Sequence, residues 1–303
     1  MISKTMSSRD PAQTEIWTIV RLIEWGSGYF RSKRVDSPRL TMELMVAHVL
    51  GLRRFDLYMQ FDRPLSQEEL EALRAMVKRR VAREPLQYIL GETVFHGRTF
   101  AVRPGVLIPR PETELLVDEA LRRSRSLRAL DIGTGSGCIA VTVALERPET
   151  EVVGIDLSAE AIAVARENAE TLGADRIDLR QADIFDDEAI AALGSFDLII
   201  SNPPYIPVAE VATLQEEVRN HEPHMAVTDG GDGLAFYRRI VNTAPLLLRR
   251  DGAIYLELGY GQAAAVRTLF EEADFAVEIY TDFDKVDRIL RARRADEHES
   301  PLA

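Results

Sequence analysis

Residues 127–146 read LRALDIGTGSGCIAVTVALE, and their reading decides the fold. LRALDI is a short apolar run of the length and texture of a strand buried on both faces. CIAVTVALE continues as a helix. Between them stand Gly133, Gly135 and Gly137. Glycine lets a chain turn tightly and approach a ligand closely, and the helix that follows offers free N–H groups at its start. A dinucleotide fingerprint places its third glycine at position 138, where this chain has Cys138. Taken alone, the loop also fits a tight strand-to-helix turn with no ligand.

The sequence outward from this unit favours a ligand. Six further apolar runs follow LRALDI: EVVGID, RIDLRQA, FDLIIS, AIYLELG, FAVEIY and VDRILRA. Helical stretches separate most of them, which predicts a parallel sheet covered on both faces. TDFDK, between the last two, is too short for a crossover helix, so those two strands should pair antiparallel. Asp156 ends the second strand, where a carboxylate can accept from both hydroxyls of a ribose. Asp183 follows the third, where it or its backbone can meet an adenine edge, with Ile184 and Phe185 as apolar surface for the ring. Either acid alone reads equally as a strand-end surface charge. Together, in order, these strand ends resemble the class I S-adenosylmethionine-dependent methyltransferases, an α/β fold with a seven-strand, mostly parallel sheet whose last strand is antiparallel.

The fourth strand runs directly into SNPPYIP, residues 201–207. In a doubly wound sheet, ligands sit outside the carboxyl ends of the strands. An amide or aryl amine nitrogen is a poor nucleophile because its lone pair is delocalised. Two acceptors that grip its two hydrogens would aim that lone pair and favour the positive charge developing on nitrogen. The Asn202 side-chain oxygen and the Pro203 carbonyl are such a pair. Pro203 and Pro204 stiffen the loop, and Tyr205 can wall a planar group. Asn-Pro-Pro-Tyr belongs to methyltransferases acting on planar nitrogen, either adenine N6 or a glutamine side-chain amide. A rigid turn is the plain alternative. His221 and His224 have i, i+3 spacing but no surrounding ligand set, so no metal is expected. Cys138 reads as a packing residue.

The start of the chain has another character. Residues 12–84 show apolar residues at three-to-four spacing, and Ser66 with Glu69 forms a capping-box pattern. Residues 1–84 are expected to form a helical substrate-docking domain, 85–109 a β-hairpin linker, and 110–303 the catalytic domain. Pro111, Glu112 and Glu114 mark a helix start. Residues 1–83 carry 15 Lys and Arg against 10 Asp and Glu, net +5, whereas the remainder carries 22 against 39, net −17. That acidic body argues against general nucleic-acid affinity. The basic segment suits an acidic or RNA-associated protein partner, or is a solvated helix surface. One cysteine excludes an internal disulfide and suits a reducing cytoplasm. No signal-peptide pattern is seen, and no apolar run approaches the roughly 18 residues of a membrane span. The tail RRADEHESPLA is expected to fray.

VLIPRPETELLV (106–117), DIGTGSGCIA (131–140), SNPPYIP, DGLAFYRRI (232–240) and LELGYGQ (256–262), with the hairpin-like PLQYILGETVFHGRTFAV (85–102), together resemble the PrmC/HemK family. These are the protein-(glutamine-N5) methyltransferases of peptide chain release factors, and the similarity covers residues 15–292. The resemblance implies methylation of the glutamine in the Gly-Gly-Gln motif of class I release factors. It implies S-adenosyl-L-methionine as donor and S-adenosyl-L-homocysteine as product. It would place the donor on Gly133, Thr134, Gly135, Ser136, Gly137, Asp156, Asp183, Ile184 and Asn202. The acceptor amide would meet Asn202, Pro203, Pro204 and Tyr205, with Pro109, Arg110 and Pro111 shaping the pocket above; Asn202, Pro203 and Tyr205 are the catalytic candidates. Glu257 and Gln262 match family positions with only structural support assignable. Two departures stand out: His221 where an aromatic is usual before Glu-Pro, and Lys285 where a late turn usually has glycine.

An N6-adenine methyltransferase acting on nucleic acid is the main rival. It would need a basic cleft that this acidic body does not suggest. A non-catalytic S-adenosylmethionine-binding adaptor would not need the Asn-Pro-Pro-Tyr clamp. A small-molecule methyltransferase would have less use for a helical domain.

Overall fold

The computed structural model describes residues 16–123, 127–174 and 176–295. The polar N-terminal stretch and the charged tail beyond Ala295 lie outside the described residues. The chain divides into two compact units between Leu90 and Gly91.

The first unit is helical: α1 (Ile19–Ser32), α2 (Pro38–Leu50), α3 (Arg54–Tyr58), α4 (Gln67–Val81) and α5 (Leu86–Leu90). The capping box opens α4, with Glu69 N donating to Ser66 Oγ and Ser66 N to Glu69 Oε2. Ile23, Phe30, Met42, Met45, Leu57 and Leu73 fill the core. Gly26 permits the close approach of α1 and α2, since a Cβ there would stand 2.4 Å from the Met42 sulfur. One carboxylate, Glu43, is buried beside this core. It accepts from Arg39, Arg54 and the Tyr58 hydroxyl, each at 2.8 Å. Burial alone would push its carboxyl up, but those hydrogen bonds outweigh burial and hold it below its ordinary value.

In the second unit, β1 (Glu92–Phe95) and β2 (Arg98–Ala101) form an antiparallel hairpin. His96 and Gly97 turn it at φ 50° and 73°, a left-handed pair that matches the strand twist. The hairpin is shorter than the 85–109 expected. Residues 86–90 are helical because Ile89 joins the helical core, so α5 belongs to the first unit.

After α6 (Pro111–Arg123) come β3 (Arg128–Ile132), α7 (Cys138–Glu146), β4 (Glu151–Asp156), α8 (Ala159–Leu172), β5 (Ile177–Gln181), α9 (Asp187–Ala191) and β6 (Phe196–Ser201). A 3₁₀ turn (Val208–Thr213), α10 (Glu216–His221) and α11 (His224–Val227) follow, then α12 (Ala235–Leu247), β7 (Leu248–Glu257), α13 (Ala263–Glu271), β8 (Phe275–Thr281) and β9 (Asp287–Arg294). The seven expected strands form one sheet in the order β5-β4-β3-β6-β7-β9-β8. All pairs are parallel except those of β9, which runs antiparallel to β7 and β8. Val152, Val153, Leu198, Ile199 and Ile200 are buried, as strands covered on both faces require. The chain reverses its winding between β3 and β6, and a crevice opens at such a switch point. Lys285, in the β8–β9 turn, has φ 63°, the left-handed conformation for which glycine is suited. Asp282 holds that turn by accepting from Asp284 N and Val286 N, both at 2.9 Å.

Glu43 gives a test of the helical unit by itself, because both tryptophans of the chain, Trp17 and Trp25, lie there. Glu43→Gln should lower stability by about 2 kcal/mol at pH 7, the scale of lost charged hydrogen bonds. Its folded-state carboxyl is held below the unfolded value, so this contribution is complete above the ordinary value of 4.5 and fades as pH falls through the folded one. Urea unfolding followed by tryptophan fluorescence, run at pH 7 and near pH 3.5, should show the difference between the two proteins shrinking at acid pH.

Candidate active site

A cavity of about 350 Å³ opens at the carboxyl ends of β3, β4, β5 and β6. Its floor is the glycine loop, whose course is dictated by hydrogen bonds. Gly133 N and Thr134 N both donate to the Ile155 carbonyl at 2.9 Å, and Gly137 N donates to Thr134 O at 2.8 Å. Gly133, Gly135 and Gly137 have φ of 73°, 57° and 80°, where side chains are strained. A Cβ on Gly133 would meet no atom within 4 Å, so the loop presents bare backbone to the cavity. Gly133, Thr134, Gly135 and Ser136 line it. Gly137 stands apart: it serves the close packing of α7 on α8, where a Cβ would come within 3.0 Å of the Ala165 Cβ.

The acids at the strand ends are placed as the sequence suggested. Asp156 Oδ2 accepts from Gly135 N and Oδ1 from Ser158 N, both at 2.9 Å, so this carboxylate also braces the loop. Burial raises its carboxyl above the ordinary value. Asp183 Oδ1 accepts from Phe185 N at 2.8 Å, and Ile184 and Phe185 join it in the wall. Phe236 closes this side, edge-on to Phe185 with ring centroids 5.2 Å apart. Asp131, at the end of β3, is buried and accepts from Thr134 Oγ1 (2.6 Å) and Ala140 N (3.2 Å). Burial pushes its carboxyl up to about 7. The Cys138 thiol is pushed up to about 12, chiefly by burial and then by Asp131, which suits a packing role.

A second cavity, of about 380 Å³, adjoins the first. Asn202, Pro203, Arg110, Leu107 and Ala226 line both, so the segment after β6 forms part of a shared wall. Pro204 faces the first cavity and Tyr205 the second. Asn202 Nδ2 donates to Thr113 Oγ1 at 3.0 Å. Thr113 Oγ1 donates to Glu257 Oε2 at 2.5 Å, and the Tyr205 hydroxyl donates to Glu257 Oε1 at 3.2 Å. Glu257 is 2% exposed. Its carboxyl is raised by burial against the opposing hydrogen bonds, and Tyr205 is raised by burial and then by the charge of Glu257. Gln262 Nε2 donates to the Tyr205 carbonyl at 2.7 Å and fixes the loop beyond Pro204.

Pro109 lines the first cavity, whereas Pro111 lines neither and serves as the first residue of α6. Arg110 is tied to the loop across the site: its Nη2 reaches Glu222 Oε1 and Oε2 at 2.6 and 2.8 Å, and Ile108 N donates to Glu222 Oε2 at 3.4 Å. His221 ends α10 immediately before buried Glu222, and the His224 ring contacts the Arg219 carbonyl at 3.2 Å. Sequence reasoning missed Thr113, Glu222, Phe236 and Asp229. Asp229 lines the first cavity and accepts from Gly231 N, Gly233 N and Ala235 N. The signal for Glu222 was present in the NHEP stretch; Thr113 had none beyond its place in a helix start.

Comparison with known proteins places this chain in a family. Residues 21–91 match the PrmC N-terminal domain and residues 123–256 a methyltransferase domain. The release factor glutamine methyltransferase of Geobacter sulfurreducens is 48% identical over 284 residues, spanning 92% of this chain and 98% of the relative. That of Chlorobaculum tepidum is 44% identical over 288 residues, spanning 92% and 98%. The crystal structure of a methyltransferase from Pyrococcus furiosus aligns with a TM-score of 0.51 at 17% identity, over 74% of this chain and 98% of that one, and shares the fold. With relatives of such identity along almost its whole length, the chain belongs to the release factor glutamine methyltransferase family, and its methyl donor is S-adenosylmethionine.

Proposed function

We propose that this chain methylates the side-chain amide nitrogen, N5, of the glutamine in the Gly-Gly-Gln motif of class I peptide chain release factors, in the cytoplasm. The observation that carries the reading is the wall shared by the two cavities, built from Asn202 and Pro203. S-adenosylmethionine supplies an electrophilic methyl group and leaves as S-adenosylhomocysteine. The first cavity suits it. Bare backbone at Gly133 to Ser136 leaves room for close approach. Each Asp156 oxygen accepts one backbone N–H and retains a lone pair for a ribose hydroxyl. Asp183, Ile184, Phe185 and Phe236 offer a polar edge and apolar faces to adenine.

The second cavity suits the acceptor amide. Asn202 Oδ1 and the Pro203 carbonyl accept its two N–H groups, which aims the nitrogen lone pair at the methyl group and stabilises the positive charge that develops there. Rigid prolines fix the direction of the carbonyl. Tyr205, held by Glu257, walls the side away from the donor. The amide proton is lost after nitrogen is alkylated, so no ionised base has to stand beside it. Arg110, anchored by Glu222, and Pro109 shape the passage between the cavities. The helical unit, whose sequence has a basic excess, is proposed to dock the release factor.

Labelled S-adenosylmethionine offered to unmethylated release factor, to DNA and to no acceptor should label the release factor alone; label in DNA and not in protein would refute the assignment. Asn202→Ala should lower kcat by about a hundredfold or more, the scale of losing one preorganised hydrogen-bonding group. Its affinity for S-adenosylhomocysteine, measured by calorimetry, should stay within about threefold of the parent. Deleting residues 1–90 should raise KM for release factor and leave S-adenosylhomocysteine binding in place; an unchanged KM would remove the docking role.

A further inference from the structure

Glu257 is a buried carboxylate to which the methyl-transfer scheme gives no direct task. It ends β7, and the parallel ladder pairs Ser201 with Leu256. The residues one step further therefore stand at the same carboxyl edge, Asn202 just past β6 and Glu257 still paired with Ile289 of β9. Thr113, buried in the first turn of α6, stands between them.

The two ends of an asparagine amide have nearly the same shape and opposite hydrogen-bonding sense. Only the oxygen can grip an acceptor N–H. An Asn202 turned the other way would present its own N–H groups to the substrate amide and repel it. The orientation must therefore be set from behind. Thr113 has one proton to give. A carboxylate only accepts, so when Thr113 gives that proton to Glu257, its oxygen is left with lone pairs alone. Its remaining neighbour, Asn202, must then point Nδ2 toward it. Burial, with Glu112, raises the Glu257 carboxyl, while the hydrogen bonds from Thr113 and Tyr205 and the nearby charge of Arg288 favour its ionised form. The Tyr237 hydroxyl donates to the Glu257 backbone carbonyl at 2.7 Å and fixes the end of β7. Among the described residues, no protein donor reaches Asn202 Oδ1.

We propose that Glu257 is a positioning residue which, through the hydroxyl of Thr113, fixes the Asn202 amide with its oxygen toward the acceptor. This rests on the methyl-acceptor role given to Asn202 above and adds that the clamp is oriented by a directed chain, Asn202 to Thr113 to Glu257.

Two measurements test it, and the first needs no turnover. In protein labelled with ¹⁵N-asparagine, the Asn202 side-chain amide protons should exchange with water at least about tenfold more slowly than in Thr113→Val, the scale of one buried hydrogen bond. Equal exchange in both proteins would mean that Nδ2 does not face Thr113, and the proposal fails whatever the methyl acceptor is. The second is a mutant cycle in kcat toward release factor. Thr113→Val should lower kcat about ten- to a hundredfold, with S-adenosylhomocysteine affinity held, and Thr113→Ser should restore most of it. Asn202→Asp has two equivalent oxygens and no orientation to set. In that background Thr113→Val should cost less than about threefold. An equal loss in both backgrounds would show that Thr113 acts by packing and would overturn the proposal. Slow exchange in a protein that fails to methylate release factor would leave the orientation standing and count against the acceptor assignment alone.

Discussion

A parallel sheet covered on both faces buries residues up to its strand ends, as at Ile132, Ile155 and Ser201, and that constraint shapes everything around the site. Each backbone group leaving the sheet at its carboxyl edge needs a partner from the chain. The Ile155 carbonyl takes two N–H groups of the glycine loop. The Ile132 carbonyl takes the buried Ser201 hydroxyl at 2.6 Å. Asp156 takes Gly135 N, and Asp131 takes Ala140 N. Meeting these needs with short polar side chains leaves a rigid rim of oriented groups where the switch point opens a crevice. The site is a consequence of finishing the sheet.

The same solution concentrates buried carboxylates along one edge. Asp131, Glu222 and Glu257 are each at most 4% exposed, and Asp156 is largely enclosed. Removing a carboxylate from water is costly unless donors converge on it. Each has them, yet burial still raises Asp131, Asp156 and Glu257. Asp156, Asp183 and Asp229 line the first cavity, together with Arg110.

The seven strands, the reversed last strand and the helical start were legible because hydrophobic period and glycine placement are local signals. So were Asp156 and Asp183, each of which marks a strand end. The β-hairpin was read too long because apolar LQYIL suits a strand as well as a helix over five residues, and only the burial of Ile89 in the helical core decides it. Gly137 looked like part of the ligand loop, and its close approach to Ala165 depends on where α8 lies. The short helices between β6 and α12 carry no clear period. Thr113 was invisible as a site residue for another reason: it acts through Asn202 and Glu257, partners more than 85 positions away, in pairings that exist only once the sheet has formed. Lys285 is the reverse case. The resemblance flagged it only as a departure from glycine, and the fold holds lysine in the left-handed conformation there with the Asp282 turn.

The segment 108–113 shows why a helix start and a binding wall need not be competing readings of one stretch. Pro111 at the first helical position gives up an N–H that would have no helical partner and presets the backbone angle. That fixes α6 relative to the two residues before it. Pro109 and Arg110 are thereby held over the cavities, and Thr113, two residues into the helix, is brought against Asn202 and Glu257. The first turn of a helix is where side chains are best placed in space without the freedom of a loop. Had the same residues been carried on an open loop, the hydroxyl between Asn202 and Glu257 would have to be ordered anew each time an acceptor bound, at a conformational cost that the helix has already met in folding.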